Sequence, residues 1–404
     1  MNKDEKIDVT KLPTINVGIV GHIDHGKTTL LYKLTGKWAD THSEELKRGI
    51  TIKLGYADSI IRKERDKYTT SKESPGEPQR YITFVDAPGH EMLMATMLSG
   101  AAIMDAAILV ISASEGIKPQ TKEHLVALQA KNIKSVIIVQ NKIDIVTKEQ
   151  AVESYKKIKE FVKGTIAENS PIIPASAQQD INLDKILEEL CKIQIPERNT
   201  KDKPIFFIAR SFDINRPGTD ITKLHGGVLG GALKQGTLKI GDEIEIKPGY
   251  SYKKQNQYFY QPVRSKIVSM QKGEHPVEIA TPGGSLAIET ELDTNLTKAD
   301  SLSGCILSVN GYLPEIKSEI KVKYELFKEV LGSEKNDPVQ PLKTPELLML
   351  SINTTTSVGQ VKKLKGNEVD LALKIPIVPL KGESIGLARN LNGHWRLIGF
   401  GTIL

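Results

Sequence analysis

INVGIVGHIDHGKTTLLYKL, residues 15–34, is the stretch on which the reading of this 404-residue chain turns. An apolar run ends at Gly21, and the pattern G-x-x-x-x-G-K-[ST] is then completed by Gly26, Lys27 and Thr28 before a leucine-rich helix begins. Glycines let successive backbone N–H groups curl around a phosphate, and a helix N-terminus favours negative charge. Lys27 reaches the outer phosphate oxygens and stabilises charge in phosphoryl transfer, while the Thr28 hydroxyl suits Mg²⁺. The stretch predicts strand, phosphate loop and helix in succession, with Asp24, His25 and Thr29 among the nucleotide-contacting residues.

Working outward, YITFVDAPGHE (81–91) ends a second apolar strand at Asp86, where a carboxylate suits a water-mediated hold on Mg²⁺. Gly89 is expected to offer its N–H to a γ-phosphate and to move when that phosphate leaves, and His90 stands where a water-orienting residue belongs. A surface histidine after a turn is the plainer reading of His90. Between the two motifs, EELKRGITIKLGYAD (44–58) starts a strand at Thr51, read as a second Mg²⁺ hydroxyl from a mobile loop. The expected metal set is Thr28, Thr51, Asp24 and Asp86.

Phosphates do not select a base. SVIIVQNKID (135–144) places Asn141, Lys142 and Asp144 at the end of a later strand. A carboxylate there accepts both N–H donors of the guanine edge, a pairing adenine cannot supply. IIPASAQ (172–178) adds Ser176, Ala177 and Gln178 behind the base.

From Thr14 to about Ile195, short apolar runs alternate with amphipathic stretches, the pattern of a doubly wound sheet with helices on both faces. IQIPERNTKDKP (193–204) reads as a linker. Beyond it, short strands with frequent Gly and Pro predict small antiparallel barrels, with YSYKKQNQYFYQ (250–261) as a polar insert and a second boundary near Pro314 to Ile320. The division is 1–200, 201–316 and 317–404. Net charge is +6, which permits a nucleic-acid partner without requiring one. The two cysteines, Cys191 and Cys305, make no disulfide framework and read as buried thiols. No apolar run is long enough for a membrane helix and the N-terminus shows no secretory signal, so a cytoplasmic protein without membrane association is expected.

These motifs together resemble the translational GTPases, and GHIDHGKTTL with DAPGH is especially similar to the elongation factor Tu group. RGITIKLGYAD, PQTKEHLVALQ, SAQ in place of SAK, ARSFDINRPGTDITKLHGGVLGGALKQGTLKIGDEIEIKPG and WRLIGFGTIL look like the gamma-subunit family of archaeal and eukaryotic translation initiation factor two, from about Pro13 to Leu404. The resemblance implies an α/β P-loop GTPase domain followed by two small antiparallel β-barrel domains. It implies GTP/GDP and Mg²⁺ as cofactors, partnership with alpha and beta subunits, and delivery of initiator methionyl-tRNA to the small ribosomal subunit. GTP hydrolysis, slow without the ribosome or an activating partner, would release the tRNA.

Many archaeal members carry a cysteine-rich zinc knuckle between the switch loops. IRKERDKYTTSKESPGEPQRY (61–81) has neither Cys nor His, so no zinc and a solvated loop are expected. A selenocysteine-type or general elongation factor, the GTPase subunit of a sulfate-activating enzyme, and a scaffold that binds nucleotide without turnover are the rival readings. Lys362, Lys363, Lys365, Arg389 and Arg396 suit either tRNA phosphates or a solvated barrel face.

Overall fold

A computed structural model describes residues 7–38, 55–87, 94–216, 218–255, 257–330 and 337–404. The chain divides into two compact units. One comprises Met1–Pro196 with Leu326–Pro341 and Gly386–Phe400, and the other Glu197–Glu325 with Leu342–Ile385 and Gly401–Leu404.

The first unit is built on seven strands: β1 (Thr14–Gly21), β2 (Gly55–Glu64), β3 (Lys67–Thr69), β4 (Glu77–Asp86), β5 (Ala106–Ser112), β6 (Ser135–Asn141) and β7 (Ile172–Pro174). Their spatial order is β3-β2-β4-β1-β5-β6-β7. The five central and late strands are parallel, and β2 and β3 add antiparallel at one edge. Helices α1 (Lys27–Thr35), α2 (Met94–Ala101), α3 (Pro119–Ala130), α4 (Lys148–Phe161) and α5 (Leu183–Lys192) follow the strands. β1 is buried along nearly its whole length because both of its faces are covered. Ile15, Val17 and Ile19 share one face and pack with Leu30, Leu31 and Leu34 of α1 and Ile186, Leu187 and Leu190 of α5. That packing fixes α1 under the sheet and brings its N-terminus to the end of β1.

In the second unit six strands close into a ring: Glu243–Lys254, Ile306–Val309, Ile205–Phe212, Val228–Gln235, Leu286–Thr290 and Gln257–Lys272, the last pairing back to the first. Alternating inward residues such as Phe206, Ile208, Leu229, Ile244, Ile246, Ile288 and Leu307 fill it. A second closed barrel has the order Lys317–Leu326, Glu368–Ile377, Thr355–Lys365, Leu347–Ile352, Ser384–Leu391 and His394–Ile403.

Three sequence readings need correction. The stretch read as a solvated loop between the switch motifs is largely strand. β2 runs to Glu64 and turns back as β3, and Arg62 is buried, its guanidinium donating to Gly76 O at 3.3 Å. β-branched Ile60 and Ile61 and the turn at Arg65–Asp66 make a hairpin that the charged residues disguise. The polar insert 250–261 is likewise no insert, since both barrel strands continue through it with Tyr252 opposite Phe259 and Lys254 opposite Gln257. Cys305 is buried as expected, but Cys191 is only half-buried at the end of α5.

Candidate functional site

Because β1, β4, β5, β6 and β7 are parallel, the loops leaving their C-terminal ends open along one edge of the sheet, the customary ligand edge of such sheets. The loops after β1, β4, β6 and β7 carry the four sequence motifs, so chain order and topology together gather residues more than a hundred positions apart.

The phosphate loop is held open by backbone geometry. Asp24 and Gly26 both have positive φ (59° and 91°), which curls the chain between β1 and α1. A Cβ on Gly26 would collide with the Asn141 amide, so a side chain there would push apart two motifs. Gly26 is the N-cap of α1 and offers no side-chain cap, leaving the first N–H groups of the helix directed at the site. Lys27 is buried, with Nζ donating to His22 O at 2.8 Å across its own loop.

Thr28 Oγ1 donates to Asp86 Oδ2 at 3.1 Å, joining the hydroxyl and carboxylate expected in the metal set. Asp24 is exposed and hydrogen-bonds to neither among the described residues. Thr51, Gly89 and His90 lie outside the described residues. Thr29 is half-buried on α1.

The base-reading loops meet at one side chain. Asn141 donates through Nδ2 to His25 O at 2.9 Å and accepts the Ala177 N–H through Oδ1 at 3.0 Å. It thereby ties the phosphate loop to the loop after β7. Lys142 takes left-handed backbone (φ 63°) and its Nζ lies 3.4 Å from Glu115 Oε1. The short 3-10 turn Ile143–Ile145 leaves Asp144 exposed at the rim. Ser176 is buried, its hydroxyl accepting from Gln179 N at 3.2 Å, while Gln178 is exposed.

Beneath the loop lie two buried imidazoles, that of His25, which the motif reading placed at the nucleotide, and that of His124, which it passed over. His25 Nδ1 is 3.2 Å from Val110 O, and His124 Nδ1 accepts the Gly21 N–H at 2.8 Å. The signal for His124 was its register: Thr121, His124, Leu125 and Leu128 recur on one buried face of α3, where a polar ring must have a partner. Glu115 had no sequence signal. Of the five basic residues considered for RNA, Arg396 instead pairs with buried Glu123 at 2.8 Å and Arg389 donates to Gln340 O at 2.8 Å, whereas Lys362, Lys363 and Lys365 are exposed.

Burial pushes the imidazole of His25 down to about 4 and that of His124 down to about 3. Both are bases depressed on folding, so the unfolded chain binds their protons more readily. The stability they contribute is complete above the ordinary histidine value near 6.5 and is lost as the pH falls toward the folded values. Between pH 6.5 and 5.5, above the carboxylate range, unfolding free energy is expected to drop by about 1 kcal/mol for each ring. Urea titration at the two pH values checks this, and an unchanged midpoint would contradict it.

A sheet edge that combines a phosphate loop with an N-K-x-D loop marks the class of guanine-nucleotide-binding proteins. Consistent with it, the elongation factor Tu GTP binding domain family matches residues 12–196, and the C-terminal family of initiation factor eIF2 gamma matches residues 318–403. Translation initiation factor 2 subunit gamma of Methanococcus vannielii is 50% identical over 96% of this chain and 98% of its own length. That of Methanothermobacter thermautotrophicus is 51% identical over the same shares. The chain therefore belongs to the translation initiation factor 2 subunit gamma family. Among solved structures, the elongation factor SelB of Methanococcus maripaludis in complex with the GTP analogue GPPNHP is similar with a TM-score of 0.73 and 25% identity, covering 97% of this chain and 79% of that one.

Proposed function

We propose that this chain is the GTP-binding subunit of translation initiation factor two, delivering initiator methionyl-tRNA to the small ribosomal subunit in a cytoplasmic complex with alpha and beta subunits. The observation that carries the reading is half-identity to initiation factor gamma subunits over nearly the full length of both chains, barrels included. The likeness to SelB is a quarter identity and supports the shared architecture. In this reading residues 1–200 hold nucleotide, and 201–316 and 317–404 are the two barrel parts.

Gly21, Asp24, His25, Gly26, Lys27, Thr28 and Thr29 line the phosphates, and Asn141, Lys142, Asp144, Ser176, Ala177 and Gln178 hold guanine. Thr28 and Asp86 offer hard oxygen donors at hydrogen-bond distance from one another, a donor set that fits Mg²⁺, with Thr51 and Asp24 as further candidates. When bound, Mg²⁺ would neutralise phosphate charge. Hydrolysis is attack of a water on the γ-phosphorus with cleavage of its bond to the β–γ bridging oxygen, releasing GDP and phosphate. Lys27 stabilises charge on the transferred group, the Gly89 N–H contacts it, and His90 orients the water. Turnover is slow until the ribosome or an activating partner engages.

The test is equilibrium binding of labelled initiator and elongator aminoacyl-tRNAs, with a non-hydrolysable GTP analogue and with GDP, with and without the alpha subunit. GTP-dependent preference for the methionylated initiator is expected. Equal binding of all tRNAs, or of none, would remove the initiation role.

A further inference from the structure

We propose that His124 is a positioning residue for nucleotide binding, holding the first residue of the phosphate loop through the lone pair of its Nδ1. The inference rests on the nucleotide-binding reading above.

Gly21 ends β1 and begins the loop, and its N–H donates to His124 Nδ1 at 2.8 Å. A backbone N–H can only donate, so Nδ1 must be unprotonated and the ring's single proton sits on Nε2. The imidazole is 1% exposed, which keeps water from replacing it as acceptor. The loop's later turn has its own anchors, the His25 ring on Val110 O and the Asn141 amide on His25 O. At the loop's start, His124 is the side chain that α3 contributes.

The helix presenting His124 is itself fixed on both sides of that residue. Glu123, 2% exposed, takes the Arg396 guanidinium at 2.8 Å, and Leu125 is buried in the packed layer. The ring therefore has little freedom to follow the loop, and the loop conforms to the ring. Gly21 has little room to compensate by shifting, because its backbone is paired with β5 in register with Val110. Loss of the acceptor would leave the Gly21 N–H buried and unpaired, favouring loop conformers whose N–H groups no longer converge on one phosphate. Affinity then falls with the population of the competent conformer. His124 touches no phosphate in this scheme and is not catalytic.

The experiment uses the full chain and two variants. His124→Asn places Oδ1 about where Nδ1 stands and keeps the acceptor, whereas His124→Leu removes it. Titration with fluorescent GDP and a GTP analogue is expected to show roughly five- to hundredfold weaker binding by His124→Leu, with His124→Asn within a few-fold of the parent. Nitrogen-edited NMR of the parent should show an unprotonated Nδ1 coupled to the Gly21 amide proton, a readout that does not depend on either variant folding. Parent-like binding by His124→Leu, equal loss in both variants, or a proton on Nδ1 would overturn the proposal. A parent that binds neither nucleotide overturns the functional reading as well, and so is told apart from failure of His124 alone.

Discussion

Lys27→Ala is expected to weaken GDP and GTP binding by about 2–5 kcal/mol, roughly one and a half to three and a half orders of magnitude, the usual cost of truncating one member of a desolvated, hydrogen-bonded charge pair. The lysine is the first residue of α1, and its ammonium is already held over the loop at His22 O, 2.8 Å away. Ordering a flexible ammonium costs side-chain entropy, and here the fold meets that cost before nucleotide arrives. Exchange of one carbonyl for charged phosphate oxygens is then favourable in a site that is buried but open at the rim. The helix should survive the change, because Leu30, Leu31 and Leu34 anchor it and alanine is a good helix former. Fluorescence titration with labelled GDP, beside an unfolding curve for each protein, gives the result. A dissociation constant within a few-fold of the parent would mean that the loop does not grip phosphate as argued.

Asp144→Asn is expected to cost about 3–5 kcal/mol in guanine-nucleotide affinity and to reverse the base preference toward xanthine. The carboxylate accepts from both guanine donors, whereas an amide turns one acceptor into a donor and sets donor against donor. Xanthine carries a carbonyl where guanine carries its amine, so the amide matches it. Asp144 is exposed on a short turn, and the turn's Ile143 N–H is held by Ala175 O at 3.3 Å. The substitution should therefore leave the fold unchanged. Competition between guanosine and xanthosine diphosphates for the variant decides the matter, and retained guanine preference would remove Asp144 from base recognition.

Much of this site was legible in the chain because its chemistry is local. A glycine-rich turn, a lysine and a threonine at fixed spacing declare a phosphate loop wherever strand and helix flank them, and Asn141, Lys142 and Asp144 do the same for a base. What sequence could not supply were contacts made across elements. The two hydrogen bonds of Asn141, the imidazole of His124 beneath Gly21 and the pairing of Arg396 with Glu123 each join residues far apart in the chain. The last of these removes Arg396 from the surface cations on which an RNA contact would draw. The hairpin of β2 and β3 was misread for a different reason: Arg62, Lys63 and Glu64 look solvated, yet the buried guanidinium of Arg62 donates to the Gly76 carbonyl, which the pairing of β2 with β4 brings near.

The two barrels bear on how the protein avoids sticking to itself. A strand ring that closes has no row of free N–H and C=O groups to template another chain. In the nucleotide-binding sheet the terminal strands β3 and β7 are three residues each, too short to recruit a partner, and β7 ends on Pro174, which has no N–H. The exposed ribbon of Tyr250–Lys254 against Gln257–Gln261 is different. It projects aromatic rings, with Tyr252 and Phe259 stacked at 5.7 Å, on strands whose outer edges lie beyond the reach of the Ile306–Val309 partner strand. Lys253 and Lys254 place like charges where a second copy would have to align, so the most adhesive surface of the barrel also carries the charge that discourages self-assembly.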